Sequence, residues 1–432
     1  MSDTSTSKPS SPSTDDDTVT RPTVPPADEA DSADPAPPVS RLISAGAVMA
    51  SGTALSRVLG FFRLMLLAFL FGNSTRQADM FNIANQLPNS MYILLAGGVL
   101  NTVLVPQLVR AVKSDKDRGE AYTNRIMTLG LLGLTVITIG LTLAVPAIIH
   151  LYSAPGWREP ALSAQYESMV MLAYYCMPQV FFYGVHVLAG QILNARDKFG
   201  PMMWAPIANN VVSILVLTLY LVVFGLGDTS GPFTSGQELL LGLGATLGIA
   251  VQAAVLVPFL RAAGYHFRPR FDFRHTGLGK TLHLAKWTLG FVVVTQLALV
   301  VVTRLASKAT VDGQGGGLSA YTYAYAVWIL PHSLITVSLA TAMLPSASRL
   351  AAEGDRVGVA DETTRTIRLA VTALLPASVA FLVLGLPAAQ LLFGFGEGAS
   401  DAAYVGTALM ALAIGLVPFT VQYVCLRAFY AL

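Results

Sequence analysis

Apolar runs of about 18 to 25 residues recur along the chain with short polar intervals between them, the length a helix needs to cross a hydrocarbon core of ~30 Å. The runs are continuous and lack the period-two alternation of barrel strands, which excludes a transmembrane β-barrel. They predict ten helical spans, at 43–71, 79–109, 124–152, 164–193, 202–226, 238–261, 284–307, 318–348, 367–394 and 403–428. The fold class is an all-α polytopic membrane protein.

Residues 1–41 break this pattern. They are rich in Ser, Thr, Pro and Asp, carry no aromatic residue, and set eight acids against Lys8, Arg21 and Arg41. No basic start leads into an apolar stretch, so this is not a signal peptide, and a disordered tail is expected. Between the spans the charges alternate. Arg110, Lys113, Lys116, Arg118 and Arg125 follow span two, and Arg196 and Lys198 follow span four. Six basic residues from Arg261 to Lys286 follow span six, and four from Arg349 to Arg368 follow span eight. The odd-numbered intervals hold only Arg76, Arg158, Arg304 and Lys308. The positive-inside rule puts the N-terminus and the even-numbered loops in the cytoplasm.

The chain also echoes itself. Leu87-Pro88-Asn89-Ser90 matches Leu330-Pro331-His332-Ser333, Val105-Pro106 matches Leu344-Pro345, and Pro178 with Tyr183 matches Pro418 with Tyr423. The paired prolines lie 243, 239 and 240 residues apart. Three matches in order at nearly one offset predict a duplicated unit of six helices in parallel. The expected organisation is a cytoplasmic tail 1–41, a first lobe of six helices 42–262, a basic cytoplasmic linker 263–282 and a second lobe 283–432. At this offset the second lobe is incomplete, lacking its last two helices, which reads as a truncated product. Pro88, Pro106, Pro331 and Pro345 lie inside spans. They read either as packing irregularities or as bends about which helices rock around a cavity.

Composition agrees with the span pattern. Of 432 residues 53% are hydrophobic and 12% charged, a balance that excludes an ordinary soluble domain. A net charge of +2 gives no reason to expect a nucleic-acid partner. Cys176 and Cys425 both lie in apolar runs and read as small buried hydrophobes. The histidines have no ligand spacing, and "GQGGG" at 313–317 lacks the Lys-Ser/Thr of a phosphate loop, so neither a metal nor an ATP site is expected.

The candidate chemistry is the set of polar residues inside spans. "ASGTALSRVLGFFRLMLLAFLFG" at 50–72 carries Arg57 and Arg63 in its interior. A mid-bilayer arginine costs several kcal/mol and is kept facing protein or a watery cavity. Arg63 lies ~9 Å along the helix from Arg57 and ~120° around it, so both fit one broad cavity. A guanidinium matches phosphate oxygens bidentately and stays charged at any working pH. The bland alternative is a snorkelling or structurally paired side chain. Asp79 reads as a helix-start carboxylate or as a gate residue pairing with Arg57 or Arg63. Asn85, Gln86 and Asn89, and likewise Asn194, Asn209 and Asn210, read as interhelical hydrogen-bonding groups or as the lining of a hydrophilic path. Trp287 and Trp328 read as packing or interfacial anchors.

"SRVLGFFR" on the first span, "ADMFNIANQLPN" opening the second, "QILNARDKFGPMMWAPIANN" at 191–210 and the closing "LRAFYAL" together resemble the MurJ/MviN lipid II flippase family, in an actinobacterial form. The resemblance implies a two-lobed exporter fold of the kind shared with multidrug exporters (MATE/MOP). It also implies movement of lipid II, an undecaprenyl-pyrophosphate carrying a sugar-peptide head, from the inner to the outer leaflet of the bacterial cytoplasmic membrane by alternating access. The family's first-helix arginines fall on Arg57 and Arg63 and its second-helix acid on Asp79, and Asn89 joins them as a substrate-binding candidate from the polar residues of span two. Where its best-studied members carry further cavity charges, this chain has Ile93, Gly97, Ala326 and Ile329. The expected partners are lipid II, membrane lipids and cell-wall synthesis proteins. No cofactor is expected, and coupling to the membrane potential or a monovalent ion is left open. The rival readings are a drug or cation antiporter of the same superfamily, and an inactive membrane fragment. An enzyme is not expected.

Overall fold

The computed structural model describes residues 39–99, 119–272, 278–313 and 315–432, and for 39–50, 94–99 and 278–289 the backbone alone. The expected tail, Pro106, and the side chains at Gly97 and Trp287 lie outside the described residues. Residues 45–432 form one compact unit, and of residues 1–44 only the start of the first helix is described.

Two helices, α1 (Val39–Phe71) and α2 (Arg76–Val99), open the chain. α3 (Glu120–Leu143) passes directly into α4 (Val145–Tyr152), whose first turn holds Pro146, where a missing N–H costs nothing. α5 (Ser163–Cys176) and α6 (Gln179–Ala195) fill one expected span and are separated at Met177-Pro178, because proline there cannot donate to the preceding turn. α7 (Gly200–Phe224) and α8 (Ser235–Ala254) follow, the second opened by a capping box between Thr234 and Gln237, and α9 (Leu256–Ala262) completes the first half. The second half comprises α10 (Leu278–Val311), α11 (Leu318–Pro331), α12 (Val337–Ala352), α13 (Arg356–Phe393) and α14 (Ala402–Ala431). A single π turn, His332–Thr336, joins α11 to α12.

Nine described helical stretches are long and apolar enough to cross a membrane. The expected span missing from them is α2, whose described length carries Asp79, Asn82, Asn85, Gln86 and Asn89. Such a helix is stable in a bilayer only if other helices enclose it. Accordingly α2 packs against α5 and α6 of the first half and against α10 and α11 of the second. Within the halves, α8 packs on α5, α6 and α7, while α14 packs on α11, α12 and α13. Phe71 and Phe393 anchor the core, with Phe71 edge-on to Tyr220 at 5.1 Å and Phe393 stacked on Tyr323 at 5.4 Å. The outward faces are apolar. Leu132, Val136, Ile139 and Leu143 form one exposed stripe on α3, and Val294, Leu297, Val301 and Leu305 another on α10. Exposed apolar stripes at helical spacing are what a lipid solvent requires.

The linker after α9 runs extended beside the start of α3. Tyr265 Oη and the Arg268 N–H both donate to Asn124 Oδ1, at 2.9 and 3.1 Å, and the Arg270 N–H donates to Thr128 Oγ1 at 3.0 Å. Arg125 pairs with Asp272 at 3.1 Å.

Candidate functional site

α2 carries Asn82, Asn85, Gln86 and Asn89 at spacings of three and four, so their side chains share one face. That face borders a cavity of about 550 Å³ between the two halves of the molecule, to which α1 contributes Arg63, α6 Gln179 and Tyr183, and α11 Tyr321 and Tyr325. Arg63 is half-buried, and its Nε is sealed with no hydrogen-bond partner among the described residues. No carboxylate lines the cavity among the described residues. Asn85 Oδ1 accepts from Gln179 Nε2 at 3.2 Å, and the Tyr183 ring stacks on Tyr92 at 5.4 Å. Asn89 is exposed and Asn82 half-buried, so the polar face opens away from the start of α2. With Arg63 on its wall and no acid among the described lining residues, the cavity carries a positive charge balanced by no acid in its described lining.

Of the sequence-derived candidates, the structure brings Arg63 and Asn89 together around this cavity. Arg57 and Asp79 are elsewhere. Arg57 is exposed and donates through Nη1 to Ser333 Oγ at 2.5 Å, which ties α1 to the π turn. Asp79 is fully buried and holds neither arginine. Its Oδ1 accepts from the Ser319 N–H and Oγ at 2.8 and 2.7 Å, and its Oδ2 from the Leu318 N–H and Thr310 Oγ1 at 3.0 and 2.6 Å. The helix-start carboxylate therefore caps α11 across the molecule in place of its own helix, and pairs with neither Arg57 nor Arg63. The reason is the dipole: the free N–H groups opening α11 offer a buried carboxylate more than a distant cation does.

A second carboxylate reciprocates. Asp401, just before α14, accepts from the N–H groups of Asn73 and Ser74, at 3.1 and 2.6 Å, in the turn that precedes α2. Asn73 Nδ2 reaches back to the Phe393 and Gly398 carbonyls at 3.1 and 2.9 Å. Burial pushes the Asp401 carboxyl above its ordinary value, while the Asn73 and Ser74 donors pull it down. Each half of the molecule thus caps a helix start or turn of the other, and both caps lie at the same end of the cavity. Asn82 Nδ2 to Ser319 Oγ, at 2.8 Å, adds a third link just inside.

Gly317 makes the clamp possible. It has φ +127, and a Cβ there would stand 2.1 Å from Thr310 Oγ1 and 2.9 Å from Asp79 Oδ2. Gly317→Ala is expected to loosen this end, seen as faster labelling of a Thr322→Cys probe by an impermeant thiol reagent. Labelling at the unsubstituted rate in a folded variant would show that the loop absorbs the methyl group.

Other amides resolve the ambiguity they posed in different ways. Asn210 Nδ2 donates to the Ser56 carbonyl at 2.8 Å and ties α7 to α1, whereas Asn209 lines the cavity. Asn194 bonds locally to Gln191 and Met202. Trp328 packs between Tyr325 and Phe419.

The family profile described as Lipid II flippase MurJ matches residues 67–432. The chain belongs to the MurJ family. It is 30% identical over 400 residues to the "Probable lipid II flippase MurJ" of Vibrio cholerae serotype O1, covering 90% of this chain and 73% of that protein. It is 26% identical over 400 residues to the lipid II flippase MurJ of Burkholderia cenocepacia, with the same coverage. Among solved structures, a lipid II flippase MurJ in an inward closed conformation superposes with TM-score 0.68 at 19% identity, over 89% of this chain and 75% of that one. An inward-facing multidrug MATE transporter superposes with TM-score 0.63 at 15% identity, over 86% and 81%. The fold is thus the one MurJ shares with MATE exporters, as the sequence resemblance implied. The cavity residues that sequence reasoning left aside include Asn82, Gln179, Tyr321 and Tyr325. Their signal was present, since Tyr321 and Tyr325 stand one turn apart on the helix that carries the repeated proline motif.

Proposed function

We propose that this protein carries lipid II from the inner to the outer leaflet of the bacterial cytoplasmic membrane by alternating access. The observation that supports the reading is Arg63 on the wall of a cavity whose described lining holds no acid and whose one end is closed by the Asp79 and Asp401 caps. The pyrophosphate docks on Arg63, the sugars of the head enter the amide-lined space, and the isoprenoid tail stays in lipid. With the positive-inside orientation, the Asp79 and Asp401 clamp is the outer gate, and the described state accepts its passenger from the cytoplasm. Release of the two carboxylate caps lets the second half rock about the π turn after Pro331, where an extra residue per turn weakens the helix ladder. Arg57, at that turn, links α1 to the bend. A cation antiporter needs a free intramembrane carboxylate, and Asp79 has all its acceptor sites filled by donors from α10 and α11. The functional test is rescue, by the gene, of a strain depleted of its own flippase. Failure with normal membrane expression contradicts the proposal.

Orientation has its own test. Ser230→Cys is expected to label from outside with an impermeant thiol reagent, and Glu353→Cys only after the membrane is opened. The reverse pattern would put the clamp on the cytoplasmic side and invert the direction of transport.

A further inference from the structure

We propose that the cavity selects its passenger by the saccharide, through an amide ladder and paired tyrosine faces, and leaves the attached peptide unread. The proposal rests on the lipid II reading and names what the same cavity recognises within the head group.

The lining is unusual in its chemistry. Six amides face it, namely Asn82, Asn85, Gln86, Asn89, Gln179 and Asn209, from three helices. Each amide offers donors and an acceptor together, as a sugar hydroxyl or an acylamino group requires of its partner. The side chains of Gln86 and Asn89 hold no hydrogen bond among the described residues, so their full capacity is open to a ligand. Asn209 spends only its oxygen, on Ser213 at 3.4 Å. Opposite the ladder, Tyr321 and Tyr325 stand as near-parallel plates with centroids 6.1 Å apart and 26° between planes. The two rings turn one face on each other and Tyr325 also meets Trp328, so the outer Tyr321 face and the hydroxyl edges are what suit the C–H face of a pyranose and its rim of hydroxyls.

The charges of the described lining give the peptide's ionised groups no partner in this space. Arg63 is the lone charged side chain in the described lining. A pyrophosphate held there leaves no cation among the described lining residues for a peptide carboxylate, and no acid among them for a peptide ammonium. Burying either group unpaired is costly, so the peptide's ionised ends are kept in water beyond the ladder. A site built from amides also penalises a ligand that lacks the hydroxyls, because the amides are then left dry and unpaired.

The test uses the protein in nanodiscs and three probes: a polyprenyl pyrophosphate, the same lipid glycosylated without peptide, and the complete glycopeptide lipid. Dissociation constants are compared by native mass spectrometry. Removing the peptide is expected to change affinity less than about threefold, and removing the saccharide to weaken it by about tenfold or more. Gln86→Leu and Asn89→Leu should each lower the ratio of glycosylated to bare affinity by about three- to tenfold, with thermal melting confirming the fold. Equal binding of bare and glycosylated lipid, or a larger loss from the peptide than from the saccharide, overturns this proposal alone. Failure of all three probes to bind overturns the lipid II reading, and the proposal with it.

Discussion

Replacing Arg63 by alanine is expected to weaken lipid II binding roughly 30- to 5,000-fold and to abolish rescue of a flippase-depleted strain. The side chain is the one cation in the described cavity lining. Truncating a buried, hydrogen-bonded charge contact costs about 2–5 kcal/mol, and each ~1.4 kcal/mol is tenfold in affinity. Because no carboxylate among the described residues pairs with Arg63, its loss strands no buried acid there, and the fold should survive. Lysine keeps the charge but loses the planar fork, so Arg63→Lys should fall between the two. Binding within threefold of the unsubstituted protein would remove Arg63 from the account.

Asp79→Ala is expected to unlock the clamped end. The carboxylate satisfies four donors, from Thr310, Leu318 and Ser319, in a place with no access for water. Left buried without an acceptor, such donors cost about 1–3 kcal/mol each. The cost falls only on the clamped state, because the opened state returns them to water. A net shift of even ~3 kcal/mol changes the ratio of the two states about 100-fold. Thr322→Cys, on the cavity side of α11, should then label faster from the clamped side, and transport should fall because the gate no longer holds. Asp79→Asn keeps one acceptor oxygen and should lie between. Unchanged labelling in a folded Asp79→Ala protein would mean that Asp401 and Asn73 hold the end closed without it.

Much of the fold was legible because span-length hydrophobicity is a local property. The bilayer imposes the period, and α7, α8 and α14 lie close to where the pattern placed them. Arg63 was legible for the same reason: a charge inside such a run has few places to go. Arg57 obeys the same rule yet reaches Ser333, because six residues of helix turn it toward the π segment. Asp79 was found, but its partners lie some 230 residues away along the chain, and no spacing in its own helix points to them. The repeated prolines show a similar limit. α2 runs through Pro88 unbroken, while Pro331 gives way to a π turn, and Pro178 separates two helices while Pro418 lies inside one. A proline removes one donor wherever it stands, but the neighbouring helices decide how the backbone makes up the loss. The tyrosines of the cavity were overlooked because an aromatic residue in a membrane span is usually packing.

The most direct measurement of the central claim is the appearance of lipid II in the outer leaflet. Spheroplasts depleted of their own flippase and expressing this protein are treated with an external hydrolase that cuts lipid II, and the cut fraction is counted. The account predicts cleavage restored by the unsubstituted protein and held at the depleted background by Arg63→Ala. Cleavage at background with both, or restored equally by both, would contradict it.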